Sequence, residues 1–372
     1  MARIVVDARI SRSWSTGIGV YTTQLLRALA RLAPQHRLLL LIAPEAPLPH
    51  LSGEGLIDER TVSHAIAGPA QHLLMPGLLR DLDADLLIVT HPACAPLWSP
   101  CPRFVFVHDL IPLALPHDYS LAKRLYYRTV IRSSLRGAAR VLVDSESTKR
   151  DCERLLGLPA GRLRVVYGGV GDQYRPGEPR RNGSRPYVLY VGNKRPHKNV
   201  DRLIEAFALL LRDGDPGCDL VIAGRDEPGS VETDGSRLRA IADAGGLNGR
   251  VRILGEVADS DLPAYYRGAS AFAYLSSYEG FGLPPLEAMA CGTPVVALDA
   301  TSLREVVGEG GMLLPDAEPA AVARALRSVL TNEELRRDLA ERGLRQARKF
   351  TWQRTAQAVL QEIDAALEAR PP

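Results

Sequence analysis

The chain is dominated by a pattern of short apolar runs separated by amphipathic stretches, and this pattern occurs twice. Apolar runs of strand length that alternate with helical patterns are typical of parallel α/β sheets. The first series comprises Ile4–Val6, Leu38–Ala43, Leu86–Val89, Phe104–Val107, Val141–Val143 and Val165–Val166. The second comprises Tyr187–Val191, Leu220–Ala223, Val251–Leu254, Ala271–Tyr274 and Val295–Ala297. The doubled pattern predicts an α/β protein with two Rossmann-like domains.

The length of the chain agrees with two domains. Its 372 residues exceed the about 250–300 residues at which a single core stops growing. A segment rich in glycine and proline, residues 168–186, separates the two series and is interpreted as the linker. We therefore expect a first domain at 1–175 and a second at 176–351.

Composition excludes several classes of protein. The net charge of +3 gives no reason to expect nucleic acid as a partner. Five cysteines without a CxxC pair indicate neither a disulfide framework nor a zinc site. The chain begins with a strand pattern instead of a signal peptide, and no apolar run approaches the ~18 residues of a membrane span. We expect a soluble cytoplasmic protein, with peripheral binding to the inner face of the membrane as a hypothesis.

The segment Glu279–Glu287 is the most informative local motif. It places two carboxylates eight residues apart, around a turn that contains Gly280, Gly282 and two prolines. Glycine lets a backbone approach a ligand closely, and proline suits the first turn of a helix. We expect both carboxylates to face one cleft, where each can accept two hydroxyl hydrogen bonds from a sugar or a ribose. The alternative is an ordinary helix start with two surface glutamates.

A basic loop follows the first strand of the second series. Within Gly192–Asn199, the cations are Lys194, Arg195 and Lys198. Cations on a loop at the carboxyl end of a strand suit a pyrophosphate and stabilise a departing nucleoside diphosphate. A solvated basic loop is the alternative interpretation.

Two motifs of the first series are weaker signals. Gly17 and Gly19 open a helix after the first strand, but Thr22 stands where a dinucleotide fingerprint has its third glycine. This loop is interpreted either as a phosphate contact at a helix N-terminus or as a tight turn. His108 follows the strand Phe104–Val107, where a histidine can bond a sugar hydroxyl, relay a proton or simply be structural.

Four arginines, Arg124, Arg128, Arg132 and Arg136, recur every four residues along a predicted helix, residues 121–137. This spacing places them on one face. A basic amphipathic helix can lie on anionic lipid, but a solvated charged face is the alternative.

Metal chemistry has little support in the sequence. Three DxD triplets, at 83–85, 213–215 and 259–261, lie away from the predicted carboxyl ends of strands, so capping explains them better than metal binding. We predict no metal and no cofactor. Neither a GxSxG elbow nor a GxxxxGK[ST] loop is present.

These motifs resemble the family 4 glycosyltransferases over nearly the whole chain. The resemblance implies the GT-B fold, retention of anomeric configuration and a cleft between two domains. Glu279–Glu287 matches the EX7E motif of that family, which implies that Glu287 holds the donor ribose and Glu279 the transferred sugar. By the same resemblance, the backbone N–H groups of Phe281, Gly282 and Leu283 contact the sugar and the diphosphate.

The resemblance also assigns roles in the basic loop and the first domain. Lys198 matches the diphosphate-binding lysine, whereas Asn193, after Gly192, stands where the family often has arginine. Lys194 or Arg195 is expected to supply that charge. His108 matches a histidine thought to touch the donor sugar, and residues 352–372 are expected to form a helix that crosses back to the first domain.

One branch of the family resembles this chain in local sequence. The stretches Gly17–Thr22, His108–Pro112, Val191–Asn193 and Pro196–Asn199 are similar to bacterial mannosyltransferases that build O-antigen and exopolysaccharide. This similarity implies GDP-mannose as the donor substrate and a glycan or a lipid-linked acceptor.

The expected reaction is glycosyl transfer in which the departing phosphate receives the proton of the acceptor, because no carboxylate is obviously placed as a nucleophile. Alternatives are a glucosyl or N-acetylhexosaminyl transferase that uses a UDP-sugar, a nucleotide-sugar epimerase, an NAD-dependent oxidoreductase and a silent glycan-binding protein.

Overall fold

The computed structural model describes residues 1–10, 17–44, 57–178, 185–225, 235–247 and 249–369. The described chain forms two compact units. The first contains residues 1–169 together with 351–372, and the second contains residues 170–350. Residues 170–175, which we expected in the first domain, thus pack with the second unit.

The first unit is built on seven strands. These are β1 (Arg3–Asp7), β2 (Arg37–Ile42), β3 (Ile57–Thr61), β4 (Leu86–Val89), β5 (Arg103–Val107), β6 (Arg140–Val143) and β7 (Leu163–Val165). Its helices up to β7 are α1 (Gly17–Leu32), α2 (Pro69–Asp81), α3 (Ile111–Ala114), α4 (Leu121–Tyr126), α5 (Arg132–Arg136) and α6 (Glu146–Leu156). All the strands pair in parallel, in the order β3-β2-β1-β4-β5-β6-β7.

The second unit repeats this architecture with six strands. They are β8 (Tyr187–Val191), β9 (Asp219–Ala223), β10 (Val251–Gly255), β11 (Ala271–Tyr274), β12 (Val295–Leu298) and β13 (Met312–Leu314). Its helices are α7 (Val200–Arg212), α8 (Gly235–Ala244), α9 (Leu262–Gly268), α10 (Leu283–Ala290), α11 (Leu303–Val306), α12 (Pro319–Thr331) and α13 (Glu333–Ala347). The parallel order is β10-β9-β8-β11-β12-β13.

Both strand orders have the doubly wound form. Chain order reverses between β1 and β4 in the first sheet, and between β8 and β11 in the second. Ligands of such sheets bind beyond the carboxyl ends of the strands at this reversal. The central strands β4, β5 and β11 are buried along their whole length, which explains why they read as continuous apolar runs. The predicted α/β class with two Rossmann-like sheets is confirmed.

Three features differ from the sequence expectation or add to it. Strand β3 has the sequence IDERT and is largely exposed, so it carries no apolar pattern by which to recognise it. Strand β13 is only three residues long. The single helix expected at 121–137 is interrupted by a π-helical segment, Tyr127–Ile131, between α4 and α5.

The last helix, α14 (Trp352–Glu368), packs in the first unit. Thr351 caps it by accepting the Arg354 N–H, and the Trp352 ring meets Tyr21 of α1 edge-on at 5.0 Å. Farther along, Glu362 accepts one hydrogen bond each from Arg140, at the start of β6, and from Arg164 in β7.

Candidate active site

The basic loop and the acidic motif meet at the reversal of the second sheet. Lys198 follows β8 and Glu279 follows β11, and these strands are neighbours in the sheet. The Lys198 ammonium forms an ion pair with Glu279 Oε1 and lies 3.4 Å from the Tyr274 hydroxyl. Only 9% of the Lys198 side chain and 13% of the Glu279 side chain are exposed. A charged pair this well shielded interacts much more strongly than a surface pair.

Backbone contacts fix the loop that carries Lys198. Asn199 adopts a left-handed conformation at φ 53°, immediately before α7, and its side-chain amide donates to the Leu275 carbonyl at 2.8 Å. The His197 carbonyl accepts the Ser277 N–H at 2.8 Å. These bonds join the loop after β8 to the loop after β11, so the two strands deliver Lys198 and Glu279 to one place.

Glu279 is clamped from a third loop, the one after β12. Thr301 Oγ1 accepts the Glu279 N–H at 2.9 Å, and the Ser302 hydroxyl donates to the Glu279 carbonyl at 3.0 Å. Thr301 has a φ of 44°, a strained conformation for a β-branched residue that is typical of functional sites. Neither residue could be predicted from the sequence, since no local pattern marks a threonine as left-handed.

The electrostatics of Glu279 favour the ionised form. Burial acts to raise the pKa of its carboxyl group, but the Lys198 charge and the hydrogen bonds from Lys198, Tyr274 and Ser276 outweigh burial and lower it. Glu279 is therefore a carboxylate at neutral pH, already neutralised by a lysine.

Glu287 lies in α10 with different neighbours. The Tyr266 hydroxyl donates to Glu287 Oε2 at 2.9 Å, and the Tyr174 hydroxyl is a second hydrogen-bond partner. Only 7% of Glu287 is exposed. Burial raises the pKa of its carboxyl group to about 8, with a smaller contribution from Asp259, although the two phenols act in the opposite direction. In the absence of ligand, Glu287 is thus mostly protonated at neutral pH.

The N-terminus of α10 has fewer backbone N–H donors than an ordinary helix start, because two prolines stand in its first turn. Gly282 precedes it with a φ of 111°, and a Cβ at this position would lie 2.9 Å from Leu303 Cδ2, so only glycine fits without rearrangement. Pro284 and Pro285 carry no N–H group, and the Leu286 N–H bonds the Gly282 carbonyl at 3.4 Å. Leu283 therefore supplies the N–H group of the first turn, at the positive end of the helix dipole.

The loop after β8 packs directly on the loop after β9. A Cβ on Gly224 would lie 1.8 Å from the Gly192 carbonyl oxygen, and Gly192 itself has a φ of 150°. Lys194 is buried, and its ammonium donates to the Gly224 carbonyl at 2.6 Å. The side-chain oxygen of Asn193 is buried and has no hydrogen-bond partner among the described residues. Of the two cations expected to replace the missing arginine, Lys194 is thus held to the backbone, and Arg195 is half-buried.

His108 lies in the first unit, beyond β5, with both ring nitrogens engaged. Nδ1 lies 2.6 Å from Asp144 Oδ2, and Nε2 lies 3.0 Å from the Thr90 carbonyl oxygen. In this arrangement neither nitrogen is available to a sugar hydroxyl or to a proton relay. Either predicted role would require the ring to leave one partner. No sequence motif identifies Asp144 as a partner of His108.

The other predicted site residues of the first unit lie in α1 and in the segment from α4 to α5. Gly17 and Gly19 form the first turn of α1, with Gly17 exposed and Gly19 buried. Two of the four arginines that the sequence places on one helix face lie against the end of α6. Arg136 reaches the Gly157 carbonyl at 3.4 Å, where α6 ends, and Arg132 lies beside the same glycine.

The aspartate triplets have ordinary partners where the structure gives them. Asp85 accepts the Arg3 N–H at 2.8 Å. Asp215 forms two hydrogen bonds with Arg250, which lower the pKa of its carboxyl group to about 2. Among the described residues, no cluster of three or more His, Cys, Asp or Glu side chains could hold a metal ion.

Solved structures resemble the whole chain. A sucrose-phosphate synthase from Thermosynechococcus elongatus matches with a TM-score of 0.82 at 22% identity, covering 100% of both chains. Anabaena HepE, solved with UDP and glucose, matches with a TM-score of 0.81 at 20% identity, covering 98% of this chain and 100% of that one. Likeness at this identity shows the fold alone, and the predicted GT-B fold class is confirmed.

Curated relatives are similar over parts of their length. The O-antigen chain mannosyltransferase B of Escherichia coli is 32% identical over 66% of this chain and 66% of its own. The serotype-specific mannosyltransferase WbdA of E. coli is 25% identical over 98% of this chain and 48% of its own. A D-inositol 3-phosphate glycosyltransferase of Salinispora tropica is 39% identical over 47% and 38%. The chain thus spans from about two fifths to just under two thirds of the lengths of these relatives.

Two family descriptions divide the chain between them. "Glycosyltransferase Family 4" matches residues 15–174, and "Glycosyl transferases group 1" matches residues 175–346. Between them they include each of the predicted site residues, from Gly17 to Glu287. The chain belongs to the family 4 glycosyltransferases.

Proposed function

We propose that this protein is a retaining glycosyltransferase that moves a mannosyl group from GDP-mannose to a glycan or a lipid-linked acceptor. The observation that supports this proposal most directly is the buried ion pair of Lys198 and Glu279 at the reversal of the second sheet. A cation there suits a diphosphate, and a carboxylate there suits sugar hydroxyls.

The geometry suggests how the residues share the work. Lys198 neutralises the charge that develops on the departing diphosphate, and the Leu283 N–H group at the start of α10 adds a positive pole. Glu279 accepts hydroxyl hydrogen bonds from the sugar and stabilises positive charge at the anomeric carbon. Because Glu279 is already bound to Lys198, it is poorly suited to act as a covalent nucleophile. The proton of the acceptor passes to the departing phosphate on the same face.

Glu287 is assigned to the ribose of the donor. A carboxylate can accept two hydroxyl hydrogen bonds, which matches the two neighbouring hydroxyls of a ribose. This assignment requires the ionised form, whereas the buried carboxyl group of the free protein holds its proton up to a pH of about 8. Donor binding is therefore accompanied by release of a proton at neutral pH.

The choice of mannose follows the E. coli relatives, whose names include mannosyltransferase. A UDP-sugar is the second candidate, because the Anabaena structure that shares the fold was solved with UDP and glucose. A nucleotide-sugar epimerase is the third, and it would act without an acceptor.

A donor screen tests the proposal. Thermal stabilisation and turnover are measured with GDP-mannose, UDP-glucose, UDP-N-acetylglucosamine and ADP-glucose, with and without a mannose-terminated acceptor. We expect stabilisation and acceptor-dependent release of nucleotide with GDP-mannose. Preference for a UDP-sugar overturns the mannose assignment, sugar isomerisation without an acceptor supports the epimerase, and stabilisation by none of the four contradicts the proposal.

We further propose that α4 and the π-helical segment dock on an anionic membrane surface. Leu121 and Leu125 lie one turn apart on α4 and are 72% and 58% exposed. Lys123 of the same helix is exposed too, and so is Arg128, three residues after Leu125. From Tyr119 to Arg136 the chain has five Lys and Arg residues and no acidic residue, so its charge complements anionic lipid. Among the described residues, no helix is both long and apolar enough to cross a bilayer.

Vesicle sedimentation tests this docking. Arg124→Glu/Arg128→Glu and Leu121→Asp/Leu125→Asp should each weaken binding to vesicles that contain phosphatidylglycerol. Each basic residue contributes about 1 kcal/mol near such a surface. The control, Arg337→Glu/Arg345→Glu, makes the same charge change on exposed side chains of α13. Equal binding by all of these variants contradicts the proposal.

A further inference from the structure

The surroundings of His108 differ from those of the other histidine nearby. The Ala93 N–H donates to His91 Nδ1 at 3.1 Å, so His91 presents a bare ring nitrogen. Burial, with smaller contributions from the neighbouring His108 and Lys123 charges, lowers the pKa of His91 to about 3. His91 is therefore neutral. His108 instead directs both ring nitrogens at oxygen atoms of the protein.

The partners of His108 decide which atoms carry protons. A backbone carbonyl can only accept, so the hydrogen bond to Thr90 requires a proton on Nε2. Asp144 Oδ2 at 2.6 Å from Nδ1 is within the range of a strong charge-assisted bond, in which Nδ1 donates to a carboxylate. Both ring nitrogens then carry protons, and the ring is an imidazolium.

We propose that Asp144 is a positioning residue that holds His108 as an imidazolium with a fixed orientation. His108 then acts as a buried positive charge beyond β5 and not as a base or a proton relay. In this role it complements anionic groups of the substrate. That last step rests on the proposed glycosyltransferase function, whereas the protonation state does not.

The groups around the pair agree with this assignment. Asp109 is adjacent along the chain, and the Tyr21 ring lies edge-on to His108 at 5.0 Å. Burial would lower the pKa of His108, but the charge and hydrogen bond of Asp144 outweigh it and raise the pKa, with smaller contributions from Asp109 and the Thr90 carbonyl. Asp144 Oδ1 is buried and has no hydrogen-bond partner among the described residues, so the carboxylate depends on His108 for its neutralisation.

The test is a nitrogen-detected titration of the full chain labelled with ¹⁵N-histidine, between pH 5.5 and 9. His108→Gln assigns the signal. In the wild type we expect protons on both ring nitrogens at pH 6.5 and a titration midpoint above this ordinary value. In Asp144→Asn the midpoint should fall by about 1–3 units, leaving a neutral ring protonated at Nε2.

Asp109→Asn is the matched control, since it removes the carboxylate adjacent along the chain, whose Oδ1 accepts the Ile111 N–H, and keeps the Asp144 contact with the ring. It should shift the midpoint much less than Asp144→Asn does. A wild-type ring with a bare Nδ1 at pH 6.5 overturns the proposal, because the proton would then belong to Asp144. A midpoint unchanged in Asp144→Asn, with the variant shown to be folded by circular dichroism, overturns it as well.

Activity provides a separate arm. If the proposed function holds, Asp144→Asn should lose turnover as pH rises through the lowered midpoint, while the wild type remains active there. Failure of the donor screen removes this arm and leaves the titration to decide the protonation state on its own.

Discussion

Glu279 and Glu287 are eight residues apart in sequence, both are shielded from solvent, and yet they have opposite electrostatic surroundings. Glu279 faces the ammonium of Lys198, which keeps it ionised. Glu287 faces the hydroxyls of Tyr266 and Tyr174, which cannot offset the cost of burying a charge. One short motif therefore contains both a permanent anion, Glu279, and a carboxyl group that ionises only near pH 8, Glu287.

This difference suits the two proposed tasks. A sugar at its reacting carbon benefits from a carboxylate that is charged before it arrives. A ribose is bound far from the reaction, so its partner can remain neutral until the ligand hydroxyls replace the missing water. Tyr274 lies within electrostatic range of both, and burial followed by the charges of Glu279 and Glu287 raises the pKa of its hydroxyl well above the usual range.

The largest expected effect comes from removing the charge of Glu279, the ionised member of the two glutamates. Glu279→Gln should reduce turnover by roughly 10²–10³, because an electrostatic contact to the transition state is lost. Nucleotide binding should remain, since Glu287 and the basic loop are intact. Lys198→Ala should cut turnover by a similar factor. Initial rates with the preferred donor and isothermal titration with the nucleotide provide the measurements.

Glu205→Gln is the control, because Glu205 forms an exposed pair with Arg202 at 3.1 Å, and such pairs contribute little. Turnover of Glu279→Gln or Lys198→Ala at the wild-type rate would show that the ion pair is structural only.

The second prediction concerns the pH dependence of Glu287. Its pKa is raised from an ordinary value near 4.5 to about 8 in the folded protein. Between these values the folded state holds a proton that the unfolded state releases, so this group lowers stability progressively as pH rises from about 4.5 to about 8. Glu287→Gln removes the titration. The variant should match the wild type near pH 4.5 and melt at a higher temperature at pH 8.5, as measured by calorimetry.

Nucleotide binding should show the complementary trend. Wild-type affinity should increase with pH up to about 8, because ionised Glu287 is the form that accepts two hydroxyls. Glu287→Gln should bind more weakly, with little dependence on pH. A wild-type affinity that is flat from pH 6 to pH 9 would contradict the assignment of Glu287 to the ribose.

The smallest expected effect comes from removing the Tyr266 hydroxyl, one of the two phenols that contact Glu287. Tyr266→Phe removes the 2.9 Å hydrogen bond to Glu287, and a bond of this kind contributes about 1 kcal/mol. Since this bond favours the ionised form, its loss should move the rise in nucleotide affinity to higher pH. The same titrations at several pH values measure the shift.

Tyr126→Phe is the matched control in the first unit. The Tyr126 hydroxyl is buried and has no hydrogen-bond partner in the part of the chain that the structure describes, so its removal should cost nothing. If Tyr266→Phe behaves as Tyr126→Phe does, the phenol has no influence on Glu287.

Much of the fold could be predicted from the sequence. The apolar runs marked eleven of the strands, and parallel pairing follows from the helices between them. Strand β3 could not be found in this way, because it is polar, and β13 was missed although it is as long as β7, which was found. The π-helical segment within 121–137 was equally invisible, since the sequence there keeps a regular four-residue spacing of arginines.

The candidate site was predictable in its location and not in its partners. His108 follows an apolar run directly, and Lys198 and Glu279 lie in the loops after two other apolar runs, so their place beyond the carboxyl ends of strands could be inferred from the sequence. The contacts of Thr301 with Glu279 and of Asp144 with His108 could not be inferred, because in each pair the two residues follow different strands.

By itself, the sequence determined which residues stand at the ends of the strands, since strand and helix patterns are local. The tertiary structure alone decided the charge of each functional group. Lys198 and Glu279 meet across 81 residues, and His108 and Asp144 across 36. The physical reason is that ionisation depends on burial and on the nearest charge, and strand order and loop packing set both over distances that no local pattern encodes.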